Sequence, residues 1–341
     1  MSDPKKLVIS ESKVTNSPIG YCLVVLLLLA CAPERDNPYD PNSNFYTNKT
    51  EILGSCKNRV MVPIHNARIC LLPLSNKTQT LVTFTNENGN YWLADCPAES
   101  VLLIAEKDGF VSESSYLSLQ AYKSETLNFT LEGLPKFLKT EVTSYYCLLS
   151  NPPYDSAVLS IKCEIADEEG QSDIALVFAT IDGLADTLPL FFKSGNAYEN
   201  LFQEESLSEN LDNIVGRDIF INAIDRFGHQ VISSPLRLIR IIRDNTLETI
   251  APVGGEITSA HPLLEWRSAN YLFAHTFFCE VYYLPPYLPP VLYHRYDNIP
   301  AQTATFLVPD SLIAGYHYWQ IGVLDSYGNW AKSAEGVFEV R

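Results

Sequence analysis

The side chains that could do chemistry are thinly spread. Six histidines, His65, His229, His261, His275, His294 and His317, stand one by one. None makes an HExxH or a two-histidine i,i+4 pair that would hold zinc. No GxSxG elbow, phosphate loop or dinucleotide glycine pattern is present, so activated serine, phosphoryl and hydride chemistry all lack their usual sequence marks. Asp225 and Asp325 are the sharpest candidates for acid–base work, but each sits in the same Asp-x-aromatic-Gly setting without a shared histidine, serine or lysine beside it. That repetition reads as turn chemistry: the carboxylate bonds backbone amides while the glycine takes the left-handed conformation. The acidic run Asp167-Glu168-Glu169-Gly170 reads as a solvated hairpin turn, with a weak cation site as the alternative. Arg35 to Asn42 offers hard oxygen ligands, but Pro38 and Pro41 break the spacing and the glycine of a calcium loop is missing, so it reads as linker. No catalytic residue, cofactor or metal ligand is expected.

Thiols are the remaining reactive class. Cys31 closes an uncharged run from Tyr21 to Ala32, preceded by Lys5, Lys6 and Lys13 and ended by Pro33-Glu34-Arg35-Asp36. The run holds about a dozen residues, too few for the roughly 20 that a spanning helix needs. Positive, apolar and then small residues are the order of an export signal. The sequence Leu28-Leu29-Ala30-Cys31 resembles the lipobox of bacterial lipoproteins. That resemblance implies a diacylglyceryl group on the Cys31 thiol, cleavage after Ala30 and an acylated new amine. At about 0.8 kcal/mol per buried methylene, one chain binds a membrane marginally and two or three hold it. An ordinary cleaved signal with an incidental Cys31, or an uncleaved N-terminal anchor, are the alternatives.

Of the other cysteines, Cys22 lies in residues 1–30, the expected signal peptide, and Cys56, Cys70, Cys96, Cys147, Cys163 and Cys279 follow. An exported chain permits disulfides, but the spacings are irregular and no CxxC occurs. Cys147 with Cys163 is the one bridge to be considered. Alternation of Leu159, Ile161, Cys163 and Ile165 marks Cys163 as a small buried side chain.

The elements that must carry these residues are strands. Residues 31–50 are rich in proline, asparagine and aspartate and read as a flexible tether, with a reach of about 5 to 6 Å times the square root of its length. Beyond it, short Val-, Ile-, Leu-, Phe- and Tyr-rich runs alternate with Asn-Gly, Asp-Gly and proline breaks, so the chain is expected to be all-β, three consecutive β-sandwiches. The nearest approach to helix is Glu199 to Asn213, whose Leu201, Phe202, Leu207 and Leu211 would cover one end of a sheet. A net charge of −16 argues against nucleic acid and favours solubility.

Residues 51–134 resemble the carboxypeptidase regulatory-like domain, a transthyretin-like sandwich, through Pro63-Ile64 with Ala67 and Ile69, Thr85 to Tyr91, Glu106 to Phe110, and Leu127, Phe129 and Leu131. A departure is Cys96-Pro97-Ala98-Glu99-Ser100, where that family has a Pro-x-Gly-x-Tyr turn. The resemblance implies a non-catalytic domain. Ile221 to His229 parallels Ile321 to Asn329 about 100 residues later, the period of one immunoglobulin-like sandwich. Each copy is expected to end in a further strand, Leu236 to Ile242 and Gly336 to Val340. Residues 135–246 are therefore expected to be immunoglobulin-like. Residues 247–341 resemble a fibronectin type III domain through Pro262, Leu264 and Trp266, and through Leu312, Gly315, Tyr318, Trp319 and Ile321.

One segment suits partner contact. Tyr282 to Tyr293 interleaves tyrosines with Pro285-Pro286 and Pro289-Pro290, and stiff proline segments lose little entropy on binding. Tyr283, Tyr287 and Tyr293 are the candidate contacts; the alternative is a long hairpin loop whose prolines prevent edge pairing. Together these features predict a non-enzymatic, lipid-anchored protein of the bacterial cell envelope, at the outer membrane. Its membrane partner is reached through the N-terminal lipid, and its other partner is a protein or a glycan. Carbohydrate capture and an accessory role in an envelope export or assembly machine are the competing readings.

Overall fold

The computed structural model describes residues 49–75, 79–150, 153–243 and 246–341. The apolar run, Cys31 and nearly all of the expected tether lie outside the described residues. Strand Lys49–Asn58 begins two residues inside the segment read as tether, because Thr50 is already buried and paired with Cys96. Among the described residues no helix is long and apolar enough to cross a membrane.

Two sheets face each other in the first sandwich. In one, Lys49–Asn58 pairs antiparallel with Asn90–Pro97 and parallel with Ser124–Thr126 and Phe129–Gly133, and Phe110–Val111 adds to the last. In the other, the order is Leu81–Phe84, Arg68–Pro73, Ser100–Glu106, Glu113–Ser118. Period-two alternation turns Val101, Leu103 and Ala105 inward from one strand, and Tyr91 and Leu93 from another while Trp92 faces out. With Ile52, Ile69, Leu71 and Leu131 they close a single core, each large side chain contributing about 1.5–3 kcal/mol of burial. The departing segment Cys96 to Ser100 is a tight turn in which the Glu99 N–H donates to the Pro97 carbonyl.

The second and third sandwiches are fused. Lys136–Ser150 and Pro153–Ala166 form a long hairpin, which continues through Ala197–Gln203, Thr187–Ser194, Ile174–Ile181, Ile219–Asp225 and Gln230–Ile232. The same Lys136–Ser150 strand pairs in parallel with Trp330–Lys332 of the third sandwich, Tyr145 opposite Trp330 with rings stacked at 4.5 Å. From there the pairing runs through Gly315–Asp325, His275–Tyr283 and Val291–Pro300. A smaller sheet of Glu248–Ala251, Leu263–Arg267 and Thr305–Leu307 completes the third sandwich. Buried side chains from Tyr146 to Val340, Trp266 and Trp319 among them, form one continuous cluster.

Three expectations need correction. Residues 197–203 are strand: Tyr198 and Phe202 point inward at period two while Leu201 is exposed, and pairing with Val158 to Glu164 outweighs the apolar spacing. Among the described residues α-helix is confined to one turn, Leu211–Ile214, capped by the Asn210 side chain accepting from the Asp212 N–H. Leu236 to Ile242 forms no strand; beyond the Leu236–Ile219 bridge it is irregular chain that buries Leu238 and Ile242, and Pro235 brings no N–H to a ladder. Cys147 and Cys163 are both free thiols. The hairpin sets Cys147 against Ser156 and Cys163 against Thr140, seven positions away along the strand. At about 3.3 Å per residue that is far beyond the reach of a disulfide. Cys163 is buried as expected, and burial pushes its thiol up to about 12.

Candidate functional site

Tyr283, Tyr287 and Tyr293 do not form one surface. The segment is a hairpin loop joining His275–Tyr283 to Val291–Pro300, with a turn in which the Leu288 N–H donates to the Pro285 carbonyl, and its base is tied to the neighbouring strand by the Leu284 N–H on the Tyr316 carbonyl. Tyr287 stands at its tip, fully exposed, while Tyr283 and Tyr293 are half-buried and pack around His317 with ring centroids 5.3 and 6.1 Å away. His317 itself is wholly buried, and its Nδ1 lies 3.1 Å from the Gly315 carbonyl. Burial holds its pKa below the usual histidine value, only partly offset by that hydrogen bond.

The repeated aspartate turns are built alike. Asp225 Oδ1 accepts from the Phe227 and His229 N–H groups at 2.8 and 2.9 Å, and Asp325 Oδ1 from Tyr327 and Asn329 at the same distances. Gly228 and Gly328 complete the turns at φ 88° and 86°, which other residues rarely adopt. His229, unpartnered in the sequence reading, places Nδ1 2.8 Å from Asp225 Oδ2. Burial alone would raise the Asp225 carboxyl, but the hydrogen bonds from His229 and Phe227 prevail and hold it below the carboxylate range.

What surrounds the two turns differs. Asp325 Oδ2 meets Arg240 Nε at 3.0 Å and the Asn329 side-chain amide at 3.0 Å. Asp225 instead faces Glu132, from strand Phe129–Gly133 of the first sandwich, and Asp173, from the 3-10 turn Gln171–Asp173. One oxygen from each of the three lies within 4.8 Å of the others, and all three residues are buried.

This acidic group sits at the seam between the first two sandwiches. Asp167 to Gly170 forms the expected turn, closed by the Gly170 N–H on the Asp167 carbonyl, but it is packed on the first sandwich, not solvated on all sides. The Gly133 N–H donates to Glu169 Oε2 at 3.1 Å, the Asn58 amide donates to the Glu168 carbonyl, and Arg59 lies over the Phe227 ring at 3.9 Å. A Cβ on Gly133 would meet Glu169 Oε2 at 2.3 Å and Glu168 Cβ at 3.1 Å, so a larger residue there would push the Glu169 carboxylate aside. Burial, and then the neighbouring Asp173 and Asp225, raise the Asp167 carboxyl; burial and Asp167 raise that of Glu169. Arg59 pairs with Glu132. Sequence inspection singled out Asp225 and Asp167 to Gly170 but passed over Glu132 and Asp173. The available signal was weak: an acid in a strand whose alternation points it outward.

The arrangement offers hard oxygen ligands and no nucleophile. A groove on the second sandwich is lined by Val177, Leu190, Phe191, Phe192 and Tyr198, and is apolar. Another, on the first, holds the Arg68–Glu106 ion pair.

No curated protein matches the chain. Solved structures similar to it include a DUF3823 family protein from Parabacteroides merdae, at 11% identity over 56% of this chain and 99% of that one, TM-score 0.24. BcpA, the major pilin subunit of Bacillus cereus, is 8% identical over 82% of this chain and 88% of its own, TM-score 0.31. Domains A168–A170 of titin are 9% identical over 80% and 89%, TM-score 0.21. Overlap this slight says nothing of what the chain does. The first sandwich is identified by sequence: residues 52–132 match the family model of the carboxypeptidase regulatory-like domain, and the chain carries that domain ahead of two further β-sandwiches.

Proposed function

We propose that this is a lipid-anchored, non-catalytic protein of the bacterial cell envelope that presents its sandwiches to a protein or glycan partner. The observation that carries the reading is the apolar run ending in Leu28-Leu29-Ala30-Cys31, with lysines before it and a proline- and asparagine-rich stretch after it. Acyl chains on Cys31 fix the location, residues 31–48 set the reach, and the rigid sandwiches hold loops such as the Tyr287 hairpin at a distance from the bilayer. The scatter of the histidines along the sequence, with no HExxH, GxSxG or phosphate-loop motif, supports a role in binding over catalysis. Outer-membrane placement belongs to the same reading.

Metabolic labelling with a fatty acid analogue, native chain against Cys31→Ala, tests the anchor. Label on the native chain and none on the variant is expected; equal labelling refutes it. A glycan array separates carbohydrate capture from protein binding, and crosslinking in cells followed by partner identification tests membership of an export or assembly machine. Loss of the captured partner on Tyr287→Ser would place the contact at the hairpin tip.

A further inference from the structure

We infer that the seam between the first and second sandwiches binds a calcium ion through Glu132, Asp173 and Asp225. Oxygens that share one ion at about 2.4 Å lie at most about 4.8 Å apart. The three carboxylates meet that limit.

A second observation is independent of their proximity. Asp173 Oδ2 and Glu132 Oε1 are shielded from solvent and accept no hydrogen bond, in residues only 8% and 3% exposed. Buried carboxylate oxygens are ordinarily satisfied by donors or by a cation. Arg59 makes an ion pair with Glu132, and His229 one with Asp225. Asp167 and Glu169 add two further carboxylates beside the group, so five acids share one guanidinium and one imidazole.

The molecule contains its own control. In the third sandwich the same turn draws a cation from the chain, Arg240 on Asp325. In the second, Asp225 has two further acids beside it, Glu132 and Asp173. Like charges gathered where a homologous turn recruits a positive one are the arrangement of a site completed from outside.

Ligand chemistry selects the ion. Every donor in the group is a hard carboxylate oxygen and none is a thiol, which goes against the preferences of copper and zinc. The three carboxylates come from a strand, a 3-10 turn and a strand end, an irregular set suited to the six to eight flexible contacts of calcium rather than the strict octahedron of magnesium. Two backbone amides fix the Asp225 carboxylate, the outer support that ligating carboxylates usually have. Because Glu132 belongs to the first sandwich and the other two to the second, one ion would lock their relative orientation, stiffening the stalk that displays the outer sandwiches.

Calorimetric titration of calcium chloride into the full chain, freed of metal with chelator, is the test. One saturable site per chain and a rise in Tm with calcium are expected. Glu132→Gln and Asp173→Asn keep side-chain volume and relieve repulsion, so both fold in chelator; each should weaken binding at least about tenfold and abolish the Tm rise. Glu87→Gln, an exposed acid on the first sandwich, removes the same charge elsewhere and should change neither. Absence of saturable binding at millimolar calcium, affinity unchanged in both seam variants, or equal competition by magnesium would each overturn the assignment. Should either variant fail to fold by circular dichroism, the other decides.

Discussion

Arg240 Nε lies 3.0 Å from Asp325 Oδ2, joining the segment between the second and third sandwiches to a turn in the third. The same guanidinium sits 4.3 Å over the Phe273 ring, so it is held by an aromatic face as well as by charge. Asp325 is almost wholly buried, and removing its partner strands a charge in low dielectric. Arg240→Met should therefore destabilise the chain by roughly 3–5 kcal/mol, and adding Asp325→Asn should restore part of the loss. Urea unfolding of the two single variants and the double variant measures this; additive losses would mean that the pair does not interact.

His317 gives a pH signature. Tyr283, Tyr293 and Phe338 surround the ring, and only the Gly315 carbonyl bonds it. Its folded pKa lies below that of the unfolded chain, about 6.5. Above that value the group is neutral in both states and contributes no slope. Below it the unfolded chain binds a proton that the folded chain refuses, so stability falls as pH drops from about 6.5 towards 5. Over that window Tm should fall more steeply in the native chain than in His317→Phe, and matching slopes would remove His317 as the cause.

The continuous core and the pairing of Tyr145 with Trp330 make the second and third sandwiches one cooperative unit, while the first has a core of its own. Scanning calorimetry of the chelator-treated chain should resolve two transitions. Leu103→Ala should lower one and Trp319→Ala the other, each by a loss of roughly 2–5 kcal/mol. A third transition, or one shifted by both substitutions, would contradict this division. Calcium should raise the lower of the two more than the upper, since the ion bridges the units.

Much of the architecture is written in local pattern. Leu159, Ile161, Cys163 and Ile165 alternate because one strand face is wet and the other dry, and the Asp-x-aromatic-Gly turns at Asp225 and Asp325 repeat because only that chemistry closes them. The quoted pieces of the first domain, from Pro63 to Leu131, fall within the residues its family model matches. Such features depend on neighbours within a few residues, so inspection of the chain finds them.

Residues 197–203 mark where local pattern stops sufficing. Their apolar spacing suits a helix as well as a strand, and the pairing partner, nearly 40 residues earlier in the chain, chooses strand. Glu132 lies on the face that alternation assigns to water, yet it is 97% buried because a second sandwich docks there. The parallel contact of Tyr145 with Trp330 spans more than half of the chain and has no short-range signature. Amino-acid order thus determined, by itself, most of the strands, the repeated turns and which face of each alternating strand is dry. Only tertiary structure decided which wet faces another sandwich would cover, because docking depends on surfaces assembled from distant segments whose charges meet after each sandwich has closed.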